Sequence, residues 1–157
     1  MKTLLLARHA KSDWADPAVR DHDRPLNARG RRDAPAMARR LVDEGVALAH
    51  IVSSTALRAR TTADAYAAAF GMEVADEALL YAASAQTILR VAAELPDDAD
   101  VAMLVGHNPG MADAVAELTG QFVEFPTCAV AECTLDVGSW AELISGSGDL
   151  VALRTPR

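Results

Sequence analysis

Short apolar runs that end abruptly in polar residues are the first regularity along this chain. Thr3–Ala7 carries three consecutive leucines and breaks into Arg8-His9-Ala10-Lys11-Ser12. Val101–Val105 breaks in the same way into Gly106-His107-Asn108-Pro109-Gly110. Uninterrupted runs of this length, bounded by turn residues, predict strands buried on both faces. Ala49–Ser53 predicts a further strand and Glu73–Ala75 a short one.

Between the strands the apolar period lengthens to that of a helix. Ala34, Met37, Ala38, Leu41 and Val42 share one face of a helix capped by Asn27 and closed by Gly45. Pro35 in its second turn implies a later start or a kink. Leu57 to Phe70 is alanine-rich and helical, with Ser54 or Thr55 as its cap and Gly71 as its end. Ser84 caps a helix that turns Ile88, Leu89, Val91, Ala92 and Leu95 inward and stops at Pro96-Asp97-Asp98. Asn108 as N-cap and Pro109 as first helical residue open a helix to about Thr119, before Gly120.

The last third changes character. Ala129–Leu135 and Asp149–Leu153 read as strands with no crossover helix between them, which makes them an antiparallel hairpin on one edge. Strand and helix alternate through residue 120, the signature of a mainly parallel sheet. The expected fold is α/β, a three-layer α/β/α sandwich with an antiparallel C-terminal edge. No repeat, low-complexity segment or linker divides the chain, so residues 1–157 are expected to form a single domain.

Composition narrows the class. Hydrophobic residues make up 51% of the chain but aromatics only 4%, so Ala, Val and Leu must build the core. No apolar run approaches the ~18 residues of a membrane helix, and the N-terminus lacks a leader pattern; the expectation is a cytoplasmic protein without membrane association. Cys128 and Cys133 read as buried, reduced thiols. The net charge of −7 is uneven: residues 1–60 hold 12 of the 15 Lys+Arg against 7 of the 22 Asp+Glu. A basic first third on an acidic chain points to a local anion site and away from nucleic acid, although arginines at 29, 31, 32, 39 and 40 also make a solvated helix face.

In open α/β sheets ligands bind just beyond the carboxyl ends of the strands. Two buried strands ending in histidine, one also bearing Arg8, suggest one phosphate pocket with a histidine nucleophile. Arginine meets phosphate oxygens with a permanently charged fork, and neutral imidazole offers a lone pair at physiological pH. Arg58 lies on the first turn of a helix whose N-terminus favours an anion, whereas Arg60 faces elsewhere. The long polar loop 8–26 has the length of a functional segment. Each feature alone has a plainer reading: His9 as a strand-end residue bonded to backbone, Arg58 as a surface ion pair, Gly106-His107 as chance.

Taken together these stretches resemble the histidine phosphatase superfamily, the phosphoglycerate-mutase-like group, and within it the compact SixA-type phosphohistidine phosphatases. The resemblance rests on Arg8-His9-Ala10, on Asp21-His22-Asp23-Arg24-Pro25-Leu26 with Gly30, on Ser53 to Ala59, and on Val105 to Pro109, in order over residues 3 to about 120. It implies that His9 attacks phosphorus and is transiently phosphorylated, that Arg8, Arg58 and His107 hold the phosphoryl oxygens, and that Ser12 and Asn108 add hydrogen bonds. It implies no cofactor and a metal-independent reaction; no Cys/His/Asp cluster has metal-ligand spacing.

Three positions depart from the family pattern. Ala10 stands for glycine and Thr55 for proline, and the segment Leu79 to Ser84 lacks the glutamate acid of the larger family, Glu77 lying several residues early. An alkoxide needs a proton donor to leave, whereas imidazole departs readily once its ring is protonated, so a site without an acid favours phosphohistidine on a protein. Asp13, Asp16 and Asp23 remain candidate donors, which keeps a general small-molecule phosphomonoesterase as the alternative. A phosphate-binding module without turnover is the other, and the oligomeric state is left open. Trp14 fits either a pocket-mouth contact or a core anchor, Trp140 reads as packing, and His22 and His50 receive no role.

Overall fold

In the computed structural model, which describes residues 1–157, the alternating apolar runs form one six-stranded sheet. β1 (Lys2–Arg8), β2 (His50–Ser53), β3 (Val74–Asp76) and β4 (Val101–Gly106) are parallel, in the order β3-β2-β4-β1. β5 (Val130–Leu135) lies antiparallel beside β1, and β6 (Gly148–Arg154) antiparallel beside β5 at the edge. The expected C-terminal antiparallel pair is thus present, and β5 alone runs against the other strands. The helices are α1 (Ala28–Asp43), α2 (Leu57–Phe70), α3 (Ala85–Ala93) and α4 (Gly110–Thr119).

The strand period of two sorts the core into two layers. Leu4, Leu6 and Leu104 face a cluster with Ile88, Met111, Leu118 and Trp140. Leu5, Ala7, Met103 and Val105 face the other side, against Met37, Leu41 and Tyr66. α3 and α4 therefore cover one face and α1 and α2 the other, the three-layer sandwich that the sequence predicts. Trp140 is fully buried, its indole N–H donating to the Ala99 carbonyl at 2.8 Å.

The helix starts show which polar side chains are spent on capping. Asn27 accepts from the Gly30 N–H at 2.9 Å, and Ser84 from the Thr87 N–H at 3.2 Å, both as expected. α1 begins at Ala28 and runs through Pro35. α2 corrects the sequence reading: its N-cap is Ala56, with no side-chain cap. The hydroxyls of Ser54 and Thr55 are engaged instead by His107 and His22. α4 starts at Gly110, one residue later than expected, although Asn108 Oδ1 still accepts the Ala112 N–H at 3.2 Å.

Two glycines set how closely these helix starts approach the site. A Cβ on Gly30 would lie 2.2 Å from the Lys11 carbonyl oxygen, and one on Gly110 would lie 2.1 Å from that of Ala83. The start of α1 therefore presses on the loop after β1, and the start of α4 on the segment after β3.

Candidate active site

Register alone brings the two histidines together. Arg8 pairs with Gly106 across β1 and β4, so His9 and His107 leave adjacent parallel strands at the same level. Their ring centroids are 5.1 Å apart, although 98 positions separate them in the chain. The His9 backbone is tied on both sides, its N–H donating to the Gly106 carbonyl at 3.0 Å and its carbonyl accepting the Cys128 N–H at 2.9 Å.

The His9 ring is buried, with Nδ1 2.7 Å from the Ala10 carbonyl oxygen. A carbonyl only accepts, so Nδ1 carries the hydrogen and Nε2 keeps its lone pair. Burial, reinforced by the charges of Arg58, Arg8 and Arg24 and opposed by the Ala10 carbonyl, lowers the His9 pKa to about 4. His107 shares a hydrogen bond through Nε2 with Ser54 Oγ at 2.8 Å, while its buried Nδ1 has no partner. Burial, then the neighbouring His9 and Arg58, lower its pKa to about 3. Both rings are neutral near pH 7.

Arg8 and Arg58 frame this pair. Arg8 Nη1 donates to the Phe125 carbonyl at 3.1 Å, its buried Nε has no partner, and burial lowers its pKa. Arg58, on the first turn of α2, donates through Nη1 to the Asp21 carbonyl at 2.7 Å and through Nη2 to Asp21 Oδ2 at 3.1 Å; its Nε is also buried and unpartnered. Three of the five buried polar atoms without a partner thus belong to Arg8, Arg58 and His107. Ser12 Oγ accepts from Arg24 Nη1 at 2.6 Å, which leaves its own hydrogen free to donate. The Asn108 amide donates to Phe125, the same carbonyl that receives Arg8, at 2.8 Å.

Several residues at the site have contacts that no local sequence pattern signals. Arg24 is buried, donating from Nε to Asp21 Oδ1 at 3.1 Å, with its guanidinium 3.4 Å from the centre of the exposed Trp14 ring. Trp14 therefore covers an arginine at the surface and is no core anchor. Tyr81 donates its hydroxyl to Asp21 Oδ2 at 2.6 Å and meets the His107 ring edge-on at 5.6 Å. His22 meets Tyr81 edge-on at 5.0 Å, which links a residue without an expected role to the site. Asp21 is held near 2, first by the Tyr81 hydroxyl and then by Arg58 and Arg24. The candidate acids Asp13 and Asp16 each accept an N–H within their own loop, from Ala15 and Ala18, and Asp23 pairs with Arg20. Arg60, as expected, lies apart, paired with Asp64 and Asp76.

A cavity of about 650 Å³ elsewhere is lined by Asp33, Met37, Arg40, Glu44 and Arg157 and includes no residue of the histidine cluster. It is the grouping of donors, and not cavity size, that marks this site as fit for a tetrahedral anion: two arginines with unpartnered Nε groups lie close enough for their charges to act on the neutral His9 ring. No group of three or more His, Cys, Asp or Glu side chains is arranged to hold a metal ion, and no helix is long and apolar enough to cross a membrane.

Comparison with known proteins identifies the family. The profile of the histidine phosphatase superfamily (branch 1) matches residues 4–84. A chloroplastic protein of Arabidopsis thaliana, itself uncharacterised, is 32% identical over 94% of this chain and 72% of its own length. A solved structure from Agrobacterium tumefaciens, described as a candidate phosphohistidine phosphatase SixA, superposes with a TM-score of 0.82 at 31% identity over 99% of both chains. Its counterpart from Nakamurella multipartitia gives 0.86 at 28% identity over 99% of this chain and 96% of the other. The chain belongs to the histidine phosphatase superfamily, branch 1, and is a phosphatase of the SixA type.

Proposed function

We propose that the protein hydrolyses phosphohistidine on a protein through a phosphorylated His9. The observation that carries this reading is the His9 ring itself: Nδ1–H fixed on the Ala10 carbonyl, Nε2 free, and the ring kept neutral well below pH 7. The Nε2 lone pair forms a bond to phosphorus as the bond from phosphorus to the substrate's ring nitrogen breaks. A substrate imidazole already protonated on its other nitrogen then departs neutral, taking the bonding pair. His9 becomes a phosphoimidazolium, its Nδ1–H still donating to Ala10. Water attacks the phosphorus in a second displacement, orthophosphate leaves, and His9 returns to the neutral form.

Arg8 and Arg58 neutralise charge on the equatorial oxygens, His107 donates a hydrogen bond to them, and Ser12 and Asn108 add further donors. For His107 to donate through Nδ1, its Nε2 must accept from the Ser54 hydroxyl, a tautomer that the 2.8 Å contact accommodates. With two arginines supplying positive charge, the step needs no metal. The candidate carboxylates Asp13, Asp16 and Asp23 are engaged with other partners, which favours a leaving group that needs no acid.

The test is trapping. Brief mixing with a phosphohistidine-bearing protein is expected to leave an acid-labile, base-stable phosphoryl group on His9, with turnover unaffected by EDTA. An absence of label on His9, with hydrolysis intact, refutes the covalent route. Higher kcat/KM on an aryl phosphate than on the phosphohistidine protein assigns a general phosphomonoesterase instead.

A further inference from the structure

We propose that Asp21 is the positioning residue of the anion site, the carboxylate that fixes Arg58, Arg24 and Tyr81 around the reacting phosphorus; the proposal rests on the phosphoryl-transfer reading above. A carboxylate is the wrong sign for such a place, because it repels the incoming phosphoryl group. Its contacts explain its presence. Arg58 is gripped twice by this one residue, through the backbone carbonyl and through Oδ2. Oδ1 takes Arg24 Nε, and Oδ2 also takes the Tyr81 hydroxyl. These donors come from the loop after β1, the first turn of α2 and the segment after β3, with sequence separations from Asp21 of 3, 37 and 60 residues.

Grip on both terminal nitrogens stops the Arg58 guanidinium from rotating. Its remaining N–H, on Nε, is buried and unpartnered, so the grip on the two terminal nitrogens alone sets the orientation of the group. Tyr81, anchored at its hydroxyl, is held edge-on to His107, which in turn faces His9. Asp21 thus acts through other side chains, and a carboxylate held ionised by three donors brings no proton to the leaving group. Preorganisation of this kind raises turnover without adding any contact to the ground-state anion.

Charge and geometry then pull two measurable quantities in opposite directions. In Asp21→Asn the repulsion is gone, so inorganic phosphate, titrated calorimetrically, is expected to bind as tightly as in the wild type or several-fold more tightly. In the same variant kcat is expected to fall tenfold or more, because Arg58, Arg24 and Tyr81 lose their ionic acceptor. Tyr81→Phe keeps the charge and removes one brace; kcat is expected to fall about threefold with phosphate affinity unchanged. Asp21 is half-exposed and asparagine is isosteric with it, and a wild-type far-UV spectrum and melting temperature confirm the fold. Wild-type kcat in Asp21→Asn overturns the proposal, as does a fall in kcat matched by an equal loss of phosphate affinity, which would make Asp21 part of the binding surface. A wild-type chain without turnover refutes the phosphatase reading itself, whereas turnover unchanged by Asp21→Asn refutes only this proposal.

Discussion

Arg58 and Arg154 are buried to nearly the same degree, with side chains 7% and 9% exposed, yet their hydrogen bonding differs in kind. Arg154, at the end of the edge strand β6, places Nε on Glu44 at 3.0 Å and Nη1 on Glu132 at 2.9 Å. Two carboxylates compensate one cation, and together they raise its pKa against the opposing effect of burial. Arg58 faces one half-exposed carboxylate and keeps a buried Nε without a partner, as Arg8 does on β1. A buried donor left unpaired costs on the order of 1–3 kcal/mol. The fold therefore carries buried arginine in two ways: saturated where it locks α1 to the edge strands, and under-saturated where strand ends and a helix start meet two neutral histidines. Local conflicts of this type are expected at functional sites.

The most severe way to break that comparison is His9→Ala. If the under-saturated cluster carries the chemistry, turnover falls by at least about a thousandfold while the melting temperature stays close to wild type, since His9 lies at a strand end. Measurable turnover of the same order in this variant would place the reaction elsewhere. The paired substitutions Arg58→Met and Arg154→Met come next. Arg58→Met is expected to lower kcat/KM about a hundredfold with little change in melting temperature. Arg154→Met leaves Glu44 and Glu132 without their shared cation; it is expected to keep full activity and lower the melting temperature by roughly 3–8 °C. Similar activity losses in both variants would abolish the distinction.

A pH series separates the two regions more finely. In the proposed mechanism neutral His9 is the nucleophilic form, and burial holds its pKa to about 4, so kcat/KM is expected to stay level from neutrality toward pH 5 and to fall through about 4. Stability depends on the same groups. Folded His9 and His107 resist protonation down to about 4 and about 3, whereas unfolded histidine takes a proton near its ordinary value of 6.5. Between these values the unfolded chain binds more protons, so stability declines as pH is lowered from about 6.5 through 4 and rises in the reverse direction. Denaturant melts across this window should show a shallower slope for His9→Ala than for the wild type.

The same division governs what was legible in the sequence. Leu4 to Leu6 and Ala102 to Val105 announce buried strands because every residue is apolar, and in an open sheet the positions just past a strand's carboxyl end are candidates for a ligand site. That reasoning locates His9 and His107, and their 5.1 Å separation results from parallel register alone. Tyr81 carried no such signal, and Asp21 and Ser54, although they lie within the stretches that carry the family resemblance, were marked there for none of the contacts they make. Each acts through a side-chain contact spanning 37 to 60 positions, and nothing local distinguishes Ser54 bonded to His107 from Ser54 capping a helix. The cap expected from Ser54 or Thr55 fails for the same reason: both hydroxyls find histidine partners that helix propensity does not anticipate. Arg24 lay within a recognised motif, but its burial depends on Ser12, Asp21 and Trp14 converging on it.

The smallest expected effect concerns the two thiols, and it sharpens the comparison by testing how firmly the site's floor is closed. Cys133 sits within β5, paired across to Leu4 and Leu150, far from any reactive group. Cys128 is different, because its N–H holds the carbonyl of His9 at 2.9 Å. Both are fully buried and free, and burial pushes both up to about 12. At pH 8 only about one thiol in ten thousand would be ionised even with access to reagent. Iodoacetamide is therefore expected to leave both cysteines and the activity untouched in the folded protein, and to label both in denaturant, as mass spectrometry of the two peptides will show. Selective labelling of Cys128 under native conditions, with loss of turnover, would mean that the backbone beneath His9 opens. The neutral imidazole would then owe its low pKa to a wall that does not stay shut, and the acid limb of the pH profile should move upward toward 6.5.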